Sequence, residues 1–376
     1  MKNKICIVTA SRSEYGHLKW IIDAVANDLE LELQLVVTGA HLSEEQGNTI
    51  DAIKVDGYSI AAQINMRLDN QTQASIVRSM GYCSEGLADV FEKLNPDILI
   101  VLGDRYELLP ICSAALVMGI PIAHLSGGDV TEGAIDNAIR NAVTMMASVH
   151  FPGVSDSAEN IARMIGNRNN IYVVGEPTLE TFIRLPLLNR EELAVELGLD
   201  IAKNWVMVTY HPETRSGLNE NMLAIQNIIT ALDTTSNTQI VISKANADYG
   251  GWQINQYMEQ VVEKNPAKYK IYASLGQLRY LSYMKQVRFI IGNSSSGIVE
   301  APFLNIPAIN VGDRQKGRYL CQNVIQTLPN LSEIKKAIQV AENNNFSKDD
   351  CYYWGDGNTA LKVVSIIKKY VQDNRR

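Results

Sequence analysis

The sequence predicts an α/β protein made of two Rossmann-like domains that face a cleft. Its 376 residues exceed what one hydrophobic core usually serves. Short β-branched runs alternate with amphipathic stretches at helical spacing in both halves of the chain. This alternation is typical of βαβ units and of a parallel sheet covered on both faces.

In the first half, six apolar runs are predicted to be strands, and the stretches between them are predicted to be helices. The strands are expected at residues 5–9, 33–38, 98–102, 120–125, 149–151 and 171–174, and the helices at 15–28, 73–94, 108–118, 135–146 and 157–165. Pro96 and Pro121 each precede a strand, where a missing amide donor does little harm.

The second half begins after Gly175-Glu176-Pro177 and repeats the alternation. Its strands are expected at residues 205–210, 239–243, 270–272, 289–291 and 308–311, with a last helix near 359–371. We predict an N-terminal domain over residues 1–178 and a C-terminal domain over 179–356, with a terminal helix in 357–376 that packs back on the first domain. Ligands of such sheets bind beyond the carboxyl ends of the strands, so the residues after each strand are site candidates.

Composition narrows the classes of function. With 46% hydrophobic and 20% charged residues, the chain has the composition of a globular protein. The net charge of -7 provides no basic field for a polyanion, which argues against nucleic acid as a partner. No apolar run reaches membrane-spanning length, and the N-terminus lacks the apolar core of a signal peptide. We therefore expect a cytoplasmic protein with no membrane partner.

The five cysteines are scattered, odd in number and without a CxxC pair or metal-ligand spacing. This pattern favours free, buried thiols and gives no reason to expect a metal site.

Polar loops follow the predicted strands of the first half. The first contains Ser11, Arg12 and Ser13, where helix amides and a guanidinium could bind an anion, or where a serine could simply cap the helix. Later loops carry Asp104, Arg105, Ser126, Asp129 and Glu132, and Asp136 and Arg140 follow in the next predicted helix. Neighbouring charges of this kind suit acid/base chemistry, although Asp136 and Arg140 could also be an ordinary i,i+4 surface pair.

Two loops of the second half carry the other candidates. His211 directly follows a strand and could bind a phosphate or transfer a proton, although a lone histidine is usually structural. The most specific motif is Gly292-Asn293-Ser294-Ser295-Ser296-Gly297, a strand end that leads into a helix. Such a turn can bind a diphosphate, and Glu300, one turn later, could accept hydrogen bonds from ribose hydroxyls. Arg314 lies in a basic loop after the next strand.

Taken together, these segments resemble the hydrolysing UDP-N-acetylglucosamine 2-epimerases of bacterial sialic-acid pathways. The resemblance spans nearly the whole chain and rests on SRSEYGHL, VTGAHLSEEQGNT, PDILIVLGDRYE, HLSGGDVTEGAIDNAIR, YHPET, GNSSSGIVEAP and INVGDRQKGR in this order. It implies the two-domain glycosyltransferase-B-like fold, conversion of UDP-N-acetylglucosamine and water into N-acetylmannosamine and UDP, no cofactor, and a homodimer.

The resemblance also implies roles for individual residues. Ser294, Ser295 and Arg12 would contact the diphosphate, with Asn293 and Gly297 in the same turn, Glu300 on the ribose, Arg314 as a supporting cation and backbone near Leu275 at the uracil edge. Asp104, Asp136 and His211 would be catalytic, with Arg105 and His41 beside the sugar.

One position departs from the family pattern. Many relatives carry a glutamate two residues after the histidine at the strand end, and this chain has Ser126. Either Asp129 or Glu132 from the same loop replaces that glutamate, or the assignment of proton transfer differs in this chain.

Four rival functions follow from the same motifs. A second hydrolytic enzyme acts on UDP-2,4-diacetamido-2,4,6-trideoxyglucose for legionaminic-type sugars, a non-hydrolysing epimerase keeps UDP on the sugar, and a UDP-sugar sensor would do no chemistry. A glycosyltransferase of the same fold is the fourth, but it would not explain the acidic cluster of the first domain. The carboxylates argue against the sensor, whereas motifs that hold UDP cannot identify the substituents at C4 and C6 of the sugar.

Overall fold

The computed structural model describes residues 2–44, 48–68, 72–130, 135–213, 216–245, 250–272, 275–343 and 345–374. The chain forms two compact units. Unit 1 contains Met1–Thr181 and Gly355–Arg376, and unit 2 contains Phe182–Trp354. Each unit is an α/β structure with its own parallel sheet.

The sheet of unit 1 has six parallel strands. They are β1 (Asn3–Thr9), β2 (Leu31–Thr38), β3 (Ile60–Ile64), β4 (Ile98–Leu102), β5 (Ile122–Leu125) and β6 (Val149–Phe151), in the spatial order β3-β2-β1-β4-β5-β6. Ile5 and Ile7 of β1 join one buried cluster, and Cys6 and Val8 join the cluster on the opposite face. Because both faces are covered, the strand is a continuous apolar run.

Within the described residues of unit 1, five helices connect the strands and a sixth follows β6. They are α1 (Arg12–Ala26), α2 (Ile50–Val55), α3 (Gln73–Leu94), α4 (Leu108–Val117), α5 (Ile135–Met146) and α6 (Ser155–Ile165). Helix α3 has the range that the sequence predicts. Thr72 and Ser75 form a reciprocal capping box at its start, and Asn95 ends it in the left-handed region, at φ 45°, as short polar side chains can.

Unit 2 repeats the topology of unit 1. Its strands are β7 (Asn204–Thr209), β8 (Thr238–Ser243), β9 (Tyr269–Tyr272), β10 (Phe289–Gly292), β11 (Ala308–Val311) and β12 (Val324–Thr327), in the order β12-β11-β10-β7-β8-β9. Its helices are α8 (Arg190–Leu197), α9 (Leu218–Asp233), α10 (Gly251–Lys264), α11 (Gly276–Met284), α12 (Glu300–Phe303) and α13 (Leu331–Asn343), after the short α7 (Glu180–Arg184) at the boundary. Both sheets therefore have the Rossmann strand order 3-2-1-4-5-6.

The last helix, α14 (Thr359–Asp373), packs on unit 1. Its Ala360, Val363 and Ile367 lie in the cluster that also holds residues of α1. The carboxylate of Glu180 accepts a hydrogen bond from the Ala360 amide at 2.7 Å, so a residue from the boundary segment caps the start of this helix.

Some elements differ from the sequence prediction. The expected strand at 171–174 is wrong, because this segment makes only an isolated bridge between Ile171 and His150. The edge strands β3 and β12 were missed. Both are short and partly exposed, so they lack the continuous apolar run of a buried strand.

Candidate functional site

Most candidate site residues lie at, or on the strand next to, the two places where the strand order reverses. In unit 1 this switch point lies between β1 and β4, and in unit 2 it lies between β7 and β10. Ligands of doubly wound sheets bind at such points, beyond the carboxyl ends of the strands. The residues that follow β1, β4, β7 and β10 are therefore described first.

The loop after β1 satisfies its own amides. Ser11 caps α1 by accepting from the Glu14 amide, and the Glu14 carboxylate accepts from the Ala10 amide at 2.6 Å. Burial raises the pKa of Glu14 to about 8. Arg12 is exposed beside these groups. Because the Ala10 and Glu14 amides already have acceptors, the Arg12 guanidinium is the group that can bind an anion here.

His41 is fully buried next to the same loop. Its Nε2 lies 3.1 Å from the Thr9 hydroxyl, and its Nδ1 lies 2.8 Å from the Thr49 hydroxyl. Burial lowers the pKa of His41 to about 4, so the ring is neutral at pH 7. Both ring nitrogens bind within the protein, which places His41 beneath the loop as a support.

The loop after β4 presents Asp104, whose carboxylate forms an ion pair with Arg140 of α5. The Arg140 side chain is only 5% exposed, against 27% for Asp104. A second Arg140 nitrogen donates to the backbone carbonyl of Asp129 at 2.8 Å. Arg140 is thus a buried link between the loops after β4 and β5, and the interpretation of Arg140 as part of an exposed surface pair is wrong.

Arg105, next to Asp104, points its guanidinium at Glu107. Its Nη2 donates to Glu107 Oε1 at 2.9 Å, and its Nε donates to Oε2 at 3.2 Å. Glu107 is almost fully buried, whereas the Arg105 side chain is 49% exposed. This bidentate pair orients Arg105 and leaves part of its surface open to solvent.

The loop after β5 is tightly packed around its glycines. A Cβ at Gly128 would lie 2.2 Å from the Ser157 carbonyl oxygen, and one at Gly127 would lie 2.9 Å from His124 Nδ1. The Asp129 carboxylate accepts from the Ser157 hydroxyl at 2.5 Å. This loop is consequently held against the first turn of α6.

Ser126, at the start of that loop, donates its hydroxyl hydrogen bond to Glu176 Oε2 at 3.1 Å. Asp136 lies exposed in the first turn of α5. Glu132 lies outside the described residues.

In unit 2, His211 and Asn293 are joined by two hydrogen bonds. The His211 amide donates to Asn293 Oδ1 at 2.8 Å, and Asn293 Nδ2 donates to the His211 carbonyl at 2.8 Å. Burial, together with the charge of Arg314, lowers the pKa of His211 to about 4. Asn293 is fully buried, so it fixes the strand ends, and His211 is a neutral imidazole at pH 7.

The serine turn after β10 has one buried and one exposed side. Ser296 is buried, and its hydroxyl lies 2.6 Å from the Tyr280 hydroxyl and donates to Ser294 Oγ at 3.0 Å. Ser295 is exposed and Ser294 is half-buried. The turn is therefore braced from below by Tyr280 and capped by the half-buried Ser294, which accepts from the Ser296 amide, so Ser295 is its exposed serine, with Gly297 closing the 3-10 turn.

Arg314 is held over this turn by two contacts. Its Nη1 donates to the Asn293 carbonyl at 3.1 Å, and its amide donates to Glu213 Oε1 at 3.2 Å. A Cβ at Gly312 would lie 2.3 Å from Glu213 Oε1, so glycine leaves room for that carboxylate.

Two further residues named from the sequence also lie in unit 2. Glu300 is half-buried at the start of α12, and Leu275 is buried before α11.

Two residues that support these sites lie outside the quoted motifs. They are Glu176 and Tyr280, which contact Ser126 and the serine turn from distant segments. Glu213 lies in the motif YHPET, but the motif did not indicate its contact with the Arg314 loop. Arg140 is the last residue of the motif HLSGGDVTEGAIDNAIR, and the motif indicated no specific role for it. Its i,i+4 spacing from Asp136 was the available signal, and it did not predict the contacts with Asp104 and the Asp129 carbonyl.

Comparison with known proteins decides the family. The family model described as UDP-N-acetylglucosamine 2-epimerase matches residues 23–368. The chain belongs to the UDP-N-acetylglucosamine 2-epimerase family. It is thus an enzyme family member, and the family resemblance drawn from its motifs is confirmed.

Relatives of this epimerase-family chain extend over nearly its whole length. A GDP/UDP-N,N'-diacetylbacillosamine 2-epimerase (hydrolyzing) of Campylobacter jejuni is 36% identical, over 93% of this chain and 90% of the relative. A UDP-N,N'-diacetylbacillosamine 2-epimerase (hydrolyzing) of Legionella pneumophila is 30% identical, over 98% of this chain and 96% of the relative.

Solved structures of family members show the same fold. The UDP-GlcNAc 2-epimerase of Neisseria meningitidis, bound to UDP-GlcNAc, matches with a TM-score of 0.82 at 16% identity, over 97% of this chain and 100% of that one. The predicted glycosyltransferase-B-like α/β fold is confirmed.

The described residues contain neither a membrane-spanning helix nor a group of metal-binding side chains. No helix there is both long and apolar enough to span a membrane. Within the same residues, no group of three or more histidine, cysteine and acidic side chains could hold a metal ion.

Proposed function

We propose that this protein hydrolyses a UDP-2-acetamido sugar and inverts its configuration at C2, releasing UDP and the free 2-epimer. The chemistry at the two switch points supports the proposal. Unit 1 presents carboxylates and a buried arginine at Asp104, Asp129, Asp136 and Arg140, whereas unit 2 presents His211, the serine turn and Arg314. The first set suits proton transfer, and the second suits a diphosphate.

The order of bond breaking follows from the substrate. The C2 hydrogen is not next to a carbonyl, so a carboxylate cannot remove it until positive charge develops at C1. The C1–O bond therefore breaks first, UDP leaves with the electron pair, and loss of the C2 proton gives 2-acetamidoglucal. Water then adds its hydroxyl to C1, and a proton reaches C2 from the opposite face.

The unit 2 residues would stabilise the departing diphosphate. Ser295 is exposed on the turn and Ser294 is half-buried beside it, while the Arg314 guanidinium and the His211 backbone both bind Asn293. Donors fixed in advance lower the barrier, because they need no reorganisation when charge develops. Glu300 would bind the ribose, backbone near Leu275 would bind the uracil, and Arg12 of unit 1 would add a cation.

The unit 1 residues would handle the protons. Asp104 is held by Arg140, and Asp136 lies exposed at the start of α5. Arg105 would contact the sugar through its exposed part.

For the substrate we propose UDP-N,N'-diacetylbacillosamine, which is UDP-2,4-diacetamido-2,4,6-trideoxyglucose. The Campylobacter and Legionella relatives, both named for this sugar, support this assignment at 36% and 30% identity. UDP-N-acetylglucosamine, feeding a sialic-acid pathway, is the second candidate, and it is supported by the description of the matching family.

The test is to incubate the purified enzyme separately with equal concentrations of the two UDP-sugars and to quantify UDP and the free sugar. We expect stoichiometric UDP and free 2-epimer, with kcat/KM higher for the diacetamido sugar. A higher kcat/KM for UDP-N-acetylglucosamine reverses the substrate assignment. A product that retains UDP contradicts hydrolysis and identifies a non-hydrolysing epimerase.

A further inference from the structure

Glu176 brings a carboxylate to the edge of the unit 1 sheet from a segment without a catalytic motif. It precedes the 3-10 turn Pro177–Leu179 and is half-buried. Its Oε2 accepts from the Ser126 hydroxyl at 3.1 Å, across 50 positions of the chain. Ser126 has a φ of 56°, a left-handed conformation that is uncommon for a residue other than glycine.

The neighbouring backbone leaves room for this carboxylate. A Cβ added at Gly153 would lie 1.9 Å from Glu176 Oε1, so any other residue at position 153 would displace the side chain. Ser126, Gly153 and Glu176 thus come from three separate segments and together fix one carboxylate.

The position of Ser126 brings Glu176 to the edge that also carries Asp104. Ser126 directly follows β5, and β5 pairs with β4. The Gly103 amide, one residue before Asp104, donates to the Leu125 carbonyl at 3.1 Å, one residue before Ser126. Asp104 therefore follows β4, and the Glu176 carboxylate binds the residue that follows the adjacent strand β5.

The acidic groups at this edge are held by protein partners. An Asp104 oxygen binds Arg140, an Asp129 oxygen binds Ser157, and a Glu176 oxygen binds Ser126. The proposed reaction needs one group to take the C2 proton and another to return a proton to the opposite face. Asp104 and Asp136 are candidates for these two roles, and Glu176 adds a third carboxylate whose position is fixed by Ser126.

We propose that Glu176 is the base that removes the C2 proton, an inference that rests on the proposed function. As the C1–O bond breaks and UDP departs with its electron pair, the C2–H pair becomes the C1=C2 bond. The proton passes to a Glu176 oxygen and is later lost to solvent. Ser126 is a positioning residue, because its hydroxyl orients the carboxylate.

The test compares Glu176→Gln with the wild type and with Glu92→Gln, which alters an exposed glutamate on α3 of the same unit. For Glu176→Gln we expect kcat to fall by about 10²–10⁴-fold, while KM and the Kd for UDP change less than 3-fold. The acid limb of the wild-type kcat/KM profile should be lost from the residual activity. Glu176→Asp should restore kcat at least 10-fold over the Gln variant, and Glu92→Gln should match the wild type.

Two results overturn the assignment. One is a Glu176→Gln kcat within 3-fold of the wild type. The other is a fall in kcat that comes only together with a lower melting temperature and weaker UDP binding, because that pattern identifies a structural residue. Failure of the proposed function is a separate outcome, since the wild type itself would then release no UDP from either sugar.

Discussion

Arg140 determines how the carboxylate of Asp104 is held. Its guanidinium is nearly buried and binds both Asp104 and the Asp129 carbonyl. The sequence could identify Asp104 and Asp129 as residues after strands, because that requires only the strand ends. It could not identify the partner of Arg140, because that depends on how α5 lies across the sheet.

Asp104→Asn tests the role of this carboxylate. The amide keeps the size of the side chain but cannot accept a proton, so we expect kcat to fall by about 10²–10⁴-fold. The Kd for UDP, measured by calorimetry, should stay within about 3-fold, because the proposed UDP contacts are mainly in unit 2. Asp89→Asn, an exposed change on α3, is the control. Turnover by Asp104→Asn near that of the control would refute the role.

The buried carboxyl of Glu14 gives a second prediction about a single residue. Its pKa is raised from 4.5 to about 8 in the folded protein, so between these pH values the folded chain keeps a proton that the unfolded chain releases, and stability is lost as pH rises through this window. Glu14→Gln should therefore raise stability at pH 8.5 by an amount on the order of 5 kcal/mol and change it little at pH 5. Urea unfolding at both pH values measures this. An equal effect at both values would contradict the buried, protonated carboxyl.

Among the elements, the buried strands and α3 could be predicted, because hydrophobic periodicity and helix-capping residues are signals within the segment itself. The edge strands β3 and β12 could not, because their pairing partners and not their own apolarity define them. The same limit applies to Glu213 and Tyr280, which brace the Arg314 loop and the serine turn from other elements.

The junction of β10 and the serine turn requires glycine at position 292. A Cβ there would lie 1.9 Å from the Thr209 carbonyl oxygen. Gly292→Ala should force β7 and β10 apart and destabilise unit 2 by about 3 kcal/mol or more, with a matching loss of UDP affinity.

Gly81→Ala is the matched control for that change, because its Cβ would have no neighbour within 4 Å. It lies inside α3, so it should stabilise the protein by about 0.5–1 kcal/mol. Thermal unfolding with and without UDP compares the two variants. Equal melting temperatures would show that the β7–β10 edge tolerates a side chain.

Helix α14 carries a prediction about unit 1. Ile367 is fully buried in the cluster shared with α1, and Leu361 on the same helix is 59% exposed. Ile367→Ala should cost about 2–5 kcal/mol, and Leu361→Ala should cost less than about 0.5 kcal/mol. Denaturant unfolding measures both. Similar small effects would mean that α14 contributes little to the fold of unit 1.

For the whole molecule, stability should depend on pH through its buried histidines. Burial lowers the pKa values of His41, His124, His150 and His211 to about 4 in the folded state. The unfolded chain binds these protons first, near pH 6.5. Stability is therefore fully present above about pH 6.5 and is lost as pH falls toward 4.

Glu14 acts in the opposite direction between pH 8 and 4.5, because its folded pKa is raised. Below pH 6.5 the stability lost through the four histidines exceeds the stability gained through this one carboxyl. The melting temperature should therefore be highest near pH 6.5 and fall steeply toward pH 4. A scan in half-unit steps tests this. A melting temperature that is flat from pH 7 to 4.5 would contradict neutral, buried imidazoles.

The repeated strand order of the two units explains why the family motifs lie where they do. Each set of polar residues follows the central strands of its own sheet, and the proposal assigns proton transfer to one set and diphosphate binding to the other. The central claim is that departure of UDP makes the C2 hydrogen removable.

The most direct test is turnover of the UDP-sugar in deuterated water, followed by NMR of the released sugar. The mechanism predicts one deuterium at C2 in every molecule of free 2-epimer, formed together with UDP. Free 2-epimer that retains its original C2 hydrogen would contradict the elimination, because the hydrogen would never have left the carbon.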